Sequence, residues 1–87
     1  MAPAQHPSVP LESRVLRVAA VVFPGFELLD VFGPLEFFSL LTPPAQISVI
    51  SSTPGLISSA AGPRIATDGD FSEILFADVL LIPGGIG

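Results

Sequence analysis

Apolar residues lie in four main runs that proline- and glycine-containing turns separate. Residues 14–23, RVLRVAAVVF, are β-branched and nearly continuous in apolar positions, which is typical of a central strand covered on both faces. Residues 45–52, AQISVISS, alternate polar with apolar positions, as in a strand covered more on one face. Residues 79–85, VLLIPGG, predict a last buried strand that ends in a Pro-Gly-Gly turn.

The second apolar run, residues 28–41, predicts a helix that proline interrupts. Its sequence, LLDVFGPLEFFSLL, has apolar residues on most faces. Pro34 cannot donate the hydrogen bond that a helix would send to the Asp30 carbonyl, so we expect the helix to restart with Gly33 as its cap. Glu36 would then lie in the first turn, close to free backbone amides.

The remaining segments predict connections. Residues 56–70, LISSAAGPRIATDGD, read as a small hairpin followed by an Asp-Gly-Asp turn, and residues 71–78 as a short helical or irregular link. Residues 1–13 contain three prolines and few branched apolar groups, which predicts a flexible tail. The order strand, helix, strand, hairpin, strand predicts an α/β fold, as part of a doubly wound, mainly parallel sheet.

The composition is more apolar than a single domain of this length can bury by itself. Of the 87 residues, 49% are hydrophobic and 13% charged, and the mean hydropathy is +0.74. A domain of this size buries only about 60% of the surface of its unfolded chain, so we expect a piece of a larger fold, or a partner. The apolar stretch 18–41 is broken by acidic residues and prolines, and no signal peptide is visible, so we predict a cytoplasmic protein without a membrane span.

The charged residues exclude several classes of site. The net charge is −5, with three arginines and no lysine, so nucleic-acid binding by this segment is not expected. The absence of cysteine excludes disulfides and thiolate chemistry within these residues. Asp68 and Asp70 form a D-G-D sequence that could open a calcium loop, but the further ligands of an EF-hand do not follow, which favours a plain turn.

Asp30 and the Pro-Gly-Gly turn carry the candidate chemistry. Asp30 is flanked by apolar residues, which favours a position towards the interior and a role as acid or proton partner; the alternative is a local cap or a carboxylate that points outwards. Gly84 and Gly85 leave backbone amides unshielded, which suits an oxyanion hole. A plain turn and the start of a dinucleotide loop remain alternatives for the glycines.

Three segments together resemble the N-terminal half of the DJ-1/PfpI superfamily, the class I glutamine amidotransferase-like fold. They are a first strand that enters FPGFELLDVFGPLEFF, a second strand after it, and ADVLLIPGGIG. Within the superfamily, LLDVFGPLEFF most resembles the isonitrile hydratase-like branch and the N-terminal domains of AraC-type regulators. The resemblance covers residues 15–87.

The resemblance implies a flavodoxin-like α/β sandwich, usually dimeric, with a cysteine nucleophile on a strained strand-to-helix elbow. In that family an acidic residue after the first strand lies beside the cysteine, and Asp30 matches it; the turn that brings backbone to the sulfur matches Gly84 and Gly85. The hydratase branch adds water to a small isonitrile substrate, giving an N-substituted formamide without metal or organic cofactor.

The sequence departs from this pattern in one respect, because its residues include no cysteine. We therefore expect residues 14–87 to be an N-terminal part of such a domain, truncated before the nucleophile elbow and inactive alone. One alternative is a non-catalytic ligand-sensing or dimerisation domain, as in AraC-type regulators. Another is a truncated product with no function of its own, which predicts poorly cooperative unfolding.

Overall fold

The structure is a computed structural model that describes residues 14–85. Along this part of the chain the elements are β1 (Arg17–Val21), α1 (Leu28–Ser39), β2 (Gln46–Ile50), β3 (Leu56–Ser58), β4 (Arg64–Ala66), a 3-10 helix (Phe71–Phe76) and β5 (Val79–Leu81). The predicted tail, residues 1–13, lies outside the described residues, as do residues 86–87.

β1 is the middle strand of a three-stranded parallel sheet with the order β2-β1-β5. Val18 of β1 lies opposite Ile47 on one side and Val79 on the other. The sheet confirms the predicted α/β class with a parallel core. The first strand is shorter than the predicted residues 14–23, because its ladder with β2 pairs only the five residues Arg17–Val21.

Helix α1 covers one face of this sheet. Alternate residues of β1, among them Val18 and Ala20, point towards the helix and are buried. Val31 and Leu35 meet them from the helix. These two residues are one turn apart and therefore lie on the same side of α1. The core is thus a two-layer contact between one helix face and one sheet face.

α1 is one continuous helix, so the predicted restart at Pro34 is wrong. Pro34 lies inside the helix, and Glu36 belongs to its last turn rather than its first. The Glu36 carbonyl there accepts a hydrogen bond from the Ser39 hydroxyl (2.7 Å). Packing explains the continuity. Val31 and Leu35 lie on either side of Pro34 in the sequence, and both reach the sheet only if the helix continues without a break at Pro34. Their burial offsets the hydrogen bond that proline removes.

The segment between β2 and β5 has the predicted connections. β3 and β4 form an antiparallel hairpin in which Ile57 lies opposite Ile65. The Asp68 carboxylate accepts a hydrogen bond from the Val49 amide (2.8 Å), and Asp70 is the N-cap of the 3-10 helix. Both acids therefore fix local structure. Across residues 14–85 no group of three or more histidine, cysteine or acidic side chains is arranged to hold a metal ion.

Large apolar side chains remain exposed on the outer face of α1, on the 3-10 helix and after β5. The most exposed of them are Leu29, Phe37, Leu40, Leu75, Phe76 and Ile82. No helix within the described part of the chain is long and apolar enough to cross a membrane. The surplus of apolar residues noted in the composition therefore lies on outward faces of the α/β unit.

Candidate functional site

The candidate site lies where β1 and β5 end side by side. The two strands are parallel, so the loop after β1 and the turn after β5 leave the sheet at the same edge. The first loop leads into α1, and the turn carries Pro83, Gly84 and Gly85. The topology thus brings the start of α1 next to the Pro-Gly-Gly turn, although the two segments are far apart in the sequence.

Asp30 and Gly84 are joined by a hydrogen bond. The Gly84 amide donates to Oδ2 of Asp30 at 3.0 Å, across 54 positions of sequence. In return, the Gly84 carbonyl accepts from the Glu27 amide, also at 3.0 Å. These two hydrogen bonds, one from its amide and one to its carbonyl, hold Gly84 against the first turn of α1.

This pair of bonds replaces an ordinary helix cap. Glu27 is the N-cap residue of α1, and its own side chain makes no capping hydrogen bond. In a capping box the acidic residue three positions later accepts from the N-cap amide; here Gly84 stands between the two, giving its amide to Asp30 and its carbonyl to Glu27. The turn therefore satisfies a backbone donor that the helix start leaves open.

The Asp30 side chain is exposed, so the predicted position towards the interior is wrong and the alternative, a carboxylate that points outwards, is the one observed. Its neighbour Val31 takes the buried position, with none of its surface exposed. The helix turns by about 100° per residue, so a single residue separates the core-facing direction from the direction of the turn. Within residues 14–85 the second carboxylate oxygen of this exposed residue, Oδ1, accepts no hydrogen bond.

Gly85 packs directly onto the loop after β1. Its φ is +157°, and a Cβ added there would lie 2.5 Å from the Gly25 carbonyl oxygen and 2.9 Å from the Phe26 Cα. Only glycine fits so close an approach of two backbones. At Gly84 the Cβ would meet Oδ2 of Asp30 at 3.1 Å. Glycine is thus required at position 85 by the backbone of the loop, whereas at position 84 a Cβ would only displace the Asp30 carboxylate slightly.

The two predicted oxyanion donors are used differently. The amide of Gly84 already binds Asp30, whereas the Gly85 amide makes no hydrogen bond to any of residues 14–85. The arrangement therefore offers a carboxylate oxygen and a backbone donor next to each other at the edge of the sheet. A carboxylate can hold or move a proton, and an amide can bind a developing negative charge.

Ser59 is a feature that the sequence reading missed as part of this region. Its residue is 5% exposed and its hydroxyl oxygen, fully buried, has no hydrogen-bond partner within the described structure. Ser59 pairs in parallel fashion with Phe26. The available sequence signal was the alternation by which Ile57 and Ser59 face the core. The adjacent Ser58 obscured it, because Ser58 and Ser59 together look like a polar stretch.

A separate groove of about 250 Å³ lies at the other end of the sheet. It is lined by the first residues of β1 and β2, Arg17 and Gln46, together with Glu73 and Phe76 of the 3-10 helix. Neither Asp30 nor the glycines contribute to it. The carboxyl edge of the sheet, and not this groove, carries the residues that the sequence singled out.

Solved structures share this architecture. A ThiJ/PfpI family protein from Pseudomonas syringae matches 98% of the chain with 29% identity and a TM-score of 0.71, and the match covers 36% of that protein. This chain has part of the DJ-1/PfpI superfamily fold. A mutant of a DJ-1 superfamily protein from Salmonella typhimurium has the same TM-score of 0.71, at 22% identity over 82% of the chain and 39% of that protein.

Comparison of sequences also finds a relative. An uncharacterized protein in the cpoL 5′ region of Streptomyces lividans is 32% identical over an alignment of 72 residues, and the match covers 79% of the chain and 51% of that protein. The chain thus spans about half the length of this relative and less than half of the solved structures. No protein-family model matches it. The predicted α/β fold class is confirmed, and the parallel sheet with its helix matches part of the fold of these solved structures.

Proposed function

We propose that the chain is the N-terminal part of a DJ-1/PfpI superfamily enzyme that resembles isonitrile hydratase. In this proposal Asp30 and the Gly84–Gly85 turn are one wall of a small-molecule site. The nucleophilic cysteine comes from a segment outside these 87 residues, which contain none. The observation that carries the proposal is the Asp30–Gly84 hydrogen bond at the carboxyl edge of a parallel sheet.

The reaction proposed for the whole protein is addition of water to an isonitrile. The cysteine thiol adds to the isonitrile carbon, giving R–N=CH–S–Cys, in which the thiol proton ends on carbon. Water then adds to that carbon, and loss of the thiol gives R–NH–CHO and the free cysteine. Atoms and electrons balance without an oxidant, a metal or an organic cofactor.

Asp30 moves the proton in both steps. Its Oδ2 is bound by Gly84, which fixes the carboxylate, and its Oδ1 is open to accept a proton from the thiol or the attacking water. The Gly85 amide, rather than that of Gly84, is the donor available for the oxygen of the tetrahedral intermediate. Asp30 is thus the catalytic residue, and Gly84 positions it.

Isonitrile hydration by the protein of the complete reading frame tests the proposal. Asp30→Asn keeps the shape and removes the proton acceptor, so we expect kcat to fall by about 100-fold or more. Glu36→Gln is the matched control, since it neutralises an exposed acid of the same helix away from the site. Unchanged turnover in Asp30→Asn removes Asp30 from the mechanism; absence of hydration in the parent protein removes the hydratase assignment. The 87-residue chain is expected to be inactive by itself.

The outer face of α1 favours a second candidate, a ligand-sensing or dimerisation domain like those of AraC-type regulators. Leu29, Phe37 and Leu40 are 78%, 64% and 71% exposed, and a face this apolar suits contact with a second copy. This candidate predicts dimerisation that Leu40→Asp abolishes, together with a DNA-binding region elsewhere in the whole protein. Sedimentation velocity of parent and variant separates it from the monomeric case.

A further inference from the structure

Three backbone segments lie side by side next to Asp30. Residues 25–27 are in the middle, with the hairpin residues 58–60 on one side and the turn residues 84–85 on the other. Phe26 pairs in parallel with Ser59 and antiparallel with Gly85. Its side chain is fully buried, so the core holds the middle segment while both neighbours bind its backbone.

The hairpin side of this arrangement is fixed by two short hydrogen bonds. The Gly25 amide donates to the Ser58 carbonyl at 2.8 Å, and the Ala60 amide donates to the Phe26 carbonyl at 2.8 Å. On the other side, the Glu27 amide donates to Gly84. The peptide units of residues 25–27 therefore connect the hairpin to the residue that holds Asp30.

Tight packing makes this connection stiff. A Cβ at position 85 would be 2.5 Å from the Gly25 carbonyl oxygen, so the turn has no space to move towards residues 25–27. A displacement of the Phe26 peptide thus moves the turn, because close-packed backbones transmit shifts and do not absorb them.

We propose that the β3–β4 hairpin positions the Pro-Gly-Gly turn for Asp30 through the backbone of residues 25–27. Ala60 and Phe26 are then positioning residues, although neither meets substrate. The inference rests on the proposed function, since it gives the hairpin a role in the same site. It extends that function by making the Asp30–Gly84 distance depend on an element at the far side of the loop.

Ala60→Pro tests the link at a single atom. The Gly62 amide donates to the Ser59 carbonyl (3.1 Å), which makes Ala60 the second residue of a four-residue turn, a position that proline favours. The variant therefore keeps the turn and removes the donor to Phe26. Ala60→Ser, which keeps the amide, is the matched control.

The measurement is the change that Asp30→Asn causes in the Gly84 amide resonance of the 87-residue chain. We expect a clear change in the parent and in Ala60→Ser, and a change smaller by about half or more in Ala60→Pro, because coupled sites are not additive. An equal change in all three backgrounds overturns the proposal. The Ala20 amide, in the middle of β1, reports whether the sheet is intact.

A reciprocal measurement decides the matter if Ala60→Pro does not fold. Asp30 is exposed, so Asp30→Ala is a mild substitution that removes the acceptor of the Gly84 amide, and linkage requires that loosening Gly84 also loosens the Ala60 amide. We expect hydrogen exchange at Ala60 to become several-fold faster in Asp30→Ala, with no change at Val22, whose amide binds Ile50. Unchanged exchange at Ala60 overturns the proposal. Neither readout is turnover, so a failed isonitrile assay and a failed positioning test are distinct results.

Discussion

Gly85 approaches Phe26 so closely that a methyl group on Gly85 would lie 2.9 Å from the Phe26 Cα. The turn after β5 and the loop after β1 thus touch backbone to backbone. Gly85→Ala is expected to lower the free energy of unfolding by on the order of 2 to 3 kcal/mol, since it adds a steric clash to a strained φ. Urea denaturation of the two chains measures the difference.

Gly55→Ala is the control for that prediction. Gly55 also has a positive φ, +140°, but nothing lies within 4 Å of an added Cβ. Its substitution therefore reports backbone strain alone, about 1 kcal/mol. Equal losses at the two positions would show that the contact with Phe26 carries no energy of its own.

Pro34→Ala is expected to stabilise the chain. The substitution restores an amide that can donate to the Asp30 carbonyl inside a continuous helix, and an interior proline costs about 3 kcal/mol relative to alanine. Part of that gain is offset by the greater freedom of the unfolded chain, so we expect about 1 to 2 kcal/mol. Thermal unfolding followed by far-UV circular dichroism measures it. A lower midpoint would indicate that the helix depends on the proline.

Ser59→Ala is expected to leave stability unchanged or raise it by about 1 kcal/mol. Its buried hydroxyl makes no hydrogen bond within residues 14–85, so removing the group removes a desolvation cost without loss of a partner. Ser51→Ala is the comparison, since the Ser51 hydroxyl accepts from the Thr53 amide (3.3 Å) and its loss is expected to destabilise. Paired chemical denaturation curves distinguish the two serines. Destabilisation by Ser59→Ala would mean that the hydroxyl has a partner.

Asp70 makes stability depend on pH in the acid range. The Ser72 hydroxyl (2.6 Å) and then the Ser72 amide (2.9 Å) donate to its carboxylate, and these bonds lower the pKa of Asp70 below its ordinary value. Because the folded-state pKa is depressed, the stabilisation is fully present above the unfolded-state pKa, about 3.9. It is lost as the pH falls through the lower folded-state value.

Ser72→Ala tests this assignment. It removes the hydroxyl donor and leaves the amide, so the pKa of Asp70 should rise towards its ordinary value without reaching it. Carboxyl carbon resonances followed against pH give the value directly. Ser52→Ala, at an exposed serine that takes no part in this contact, should leave the Asp70 titration as it is. An Asp70 pKa that does not change in Ser72→Ala contradicts the prediction.

Local sequence signals predicted the elements well and their junctions less well. The β-branched run of β1 and the glycine, proline and aspartate turns indicated the strands and the hairpin correctly. Pro34 led to a wrong prediction, because the rule against interior proline considers only the lost helical hydrogen bond. The burial of Val31 and Leu35 against the sheet is a tertiary contribution to stability that offsets this loss. The local sequence around Pro34 does not show that this burial occurs.

The residues of the candidate site were singled out from the sequence, but their geometry was not predicted. Asp30 and Gly84 were both singled out, yet the flanking apolar residues suggested a buried carboxylate, and the structure has an exposed one. The bond between them depends on β5 lying beside β1, a relationship that spans most of the chain. The segment 25–27 gave no chemical signal, since its contribution is made by backbone groups that every residue has.

β5 is three residues long and is an edge strand of the described sheet. Short edge strands open at a lower free energy than the rest of a domain. Each opening carries Gly84 away from Asp30, so the wall of the site breaks apart while β1, β2 and α1 remain folded. Any molecule bound at Gly84 and Gly85 must therefore hold the strand closed, and its binding can be read from slower hydrogen exchange in Val79–Leu81 before any chemistry has been observed.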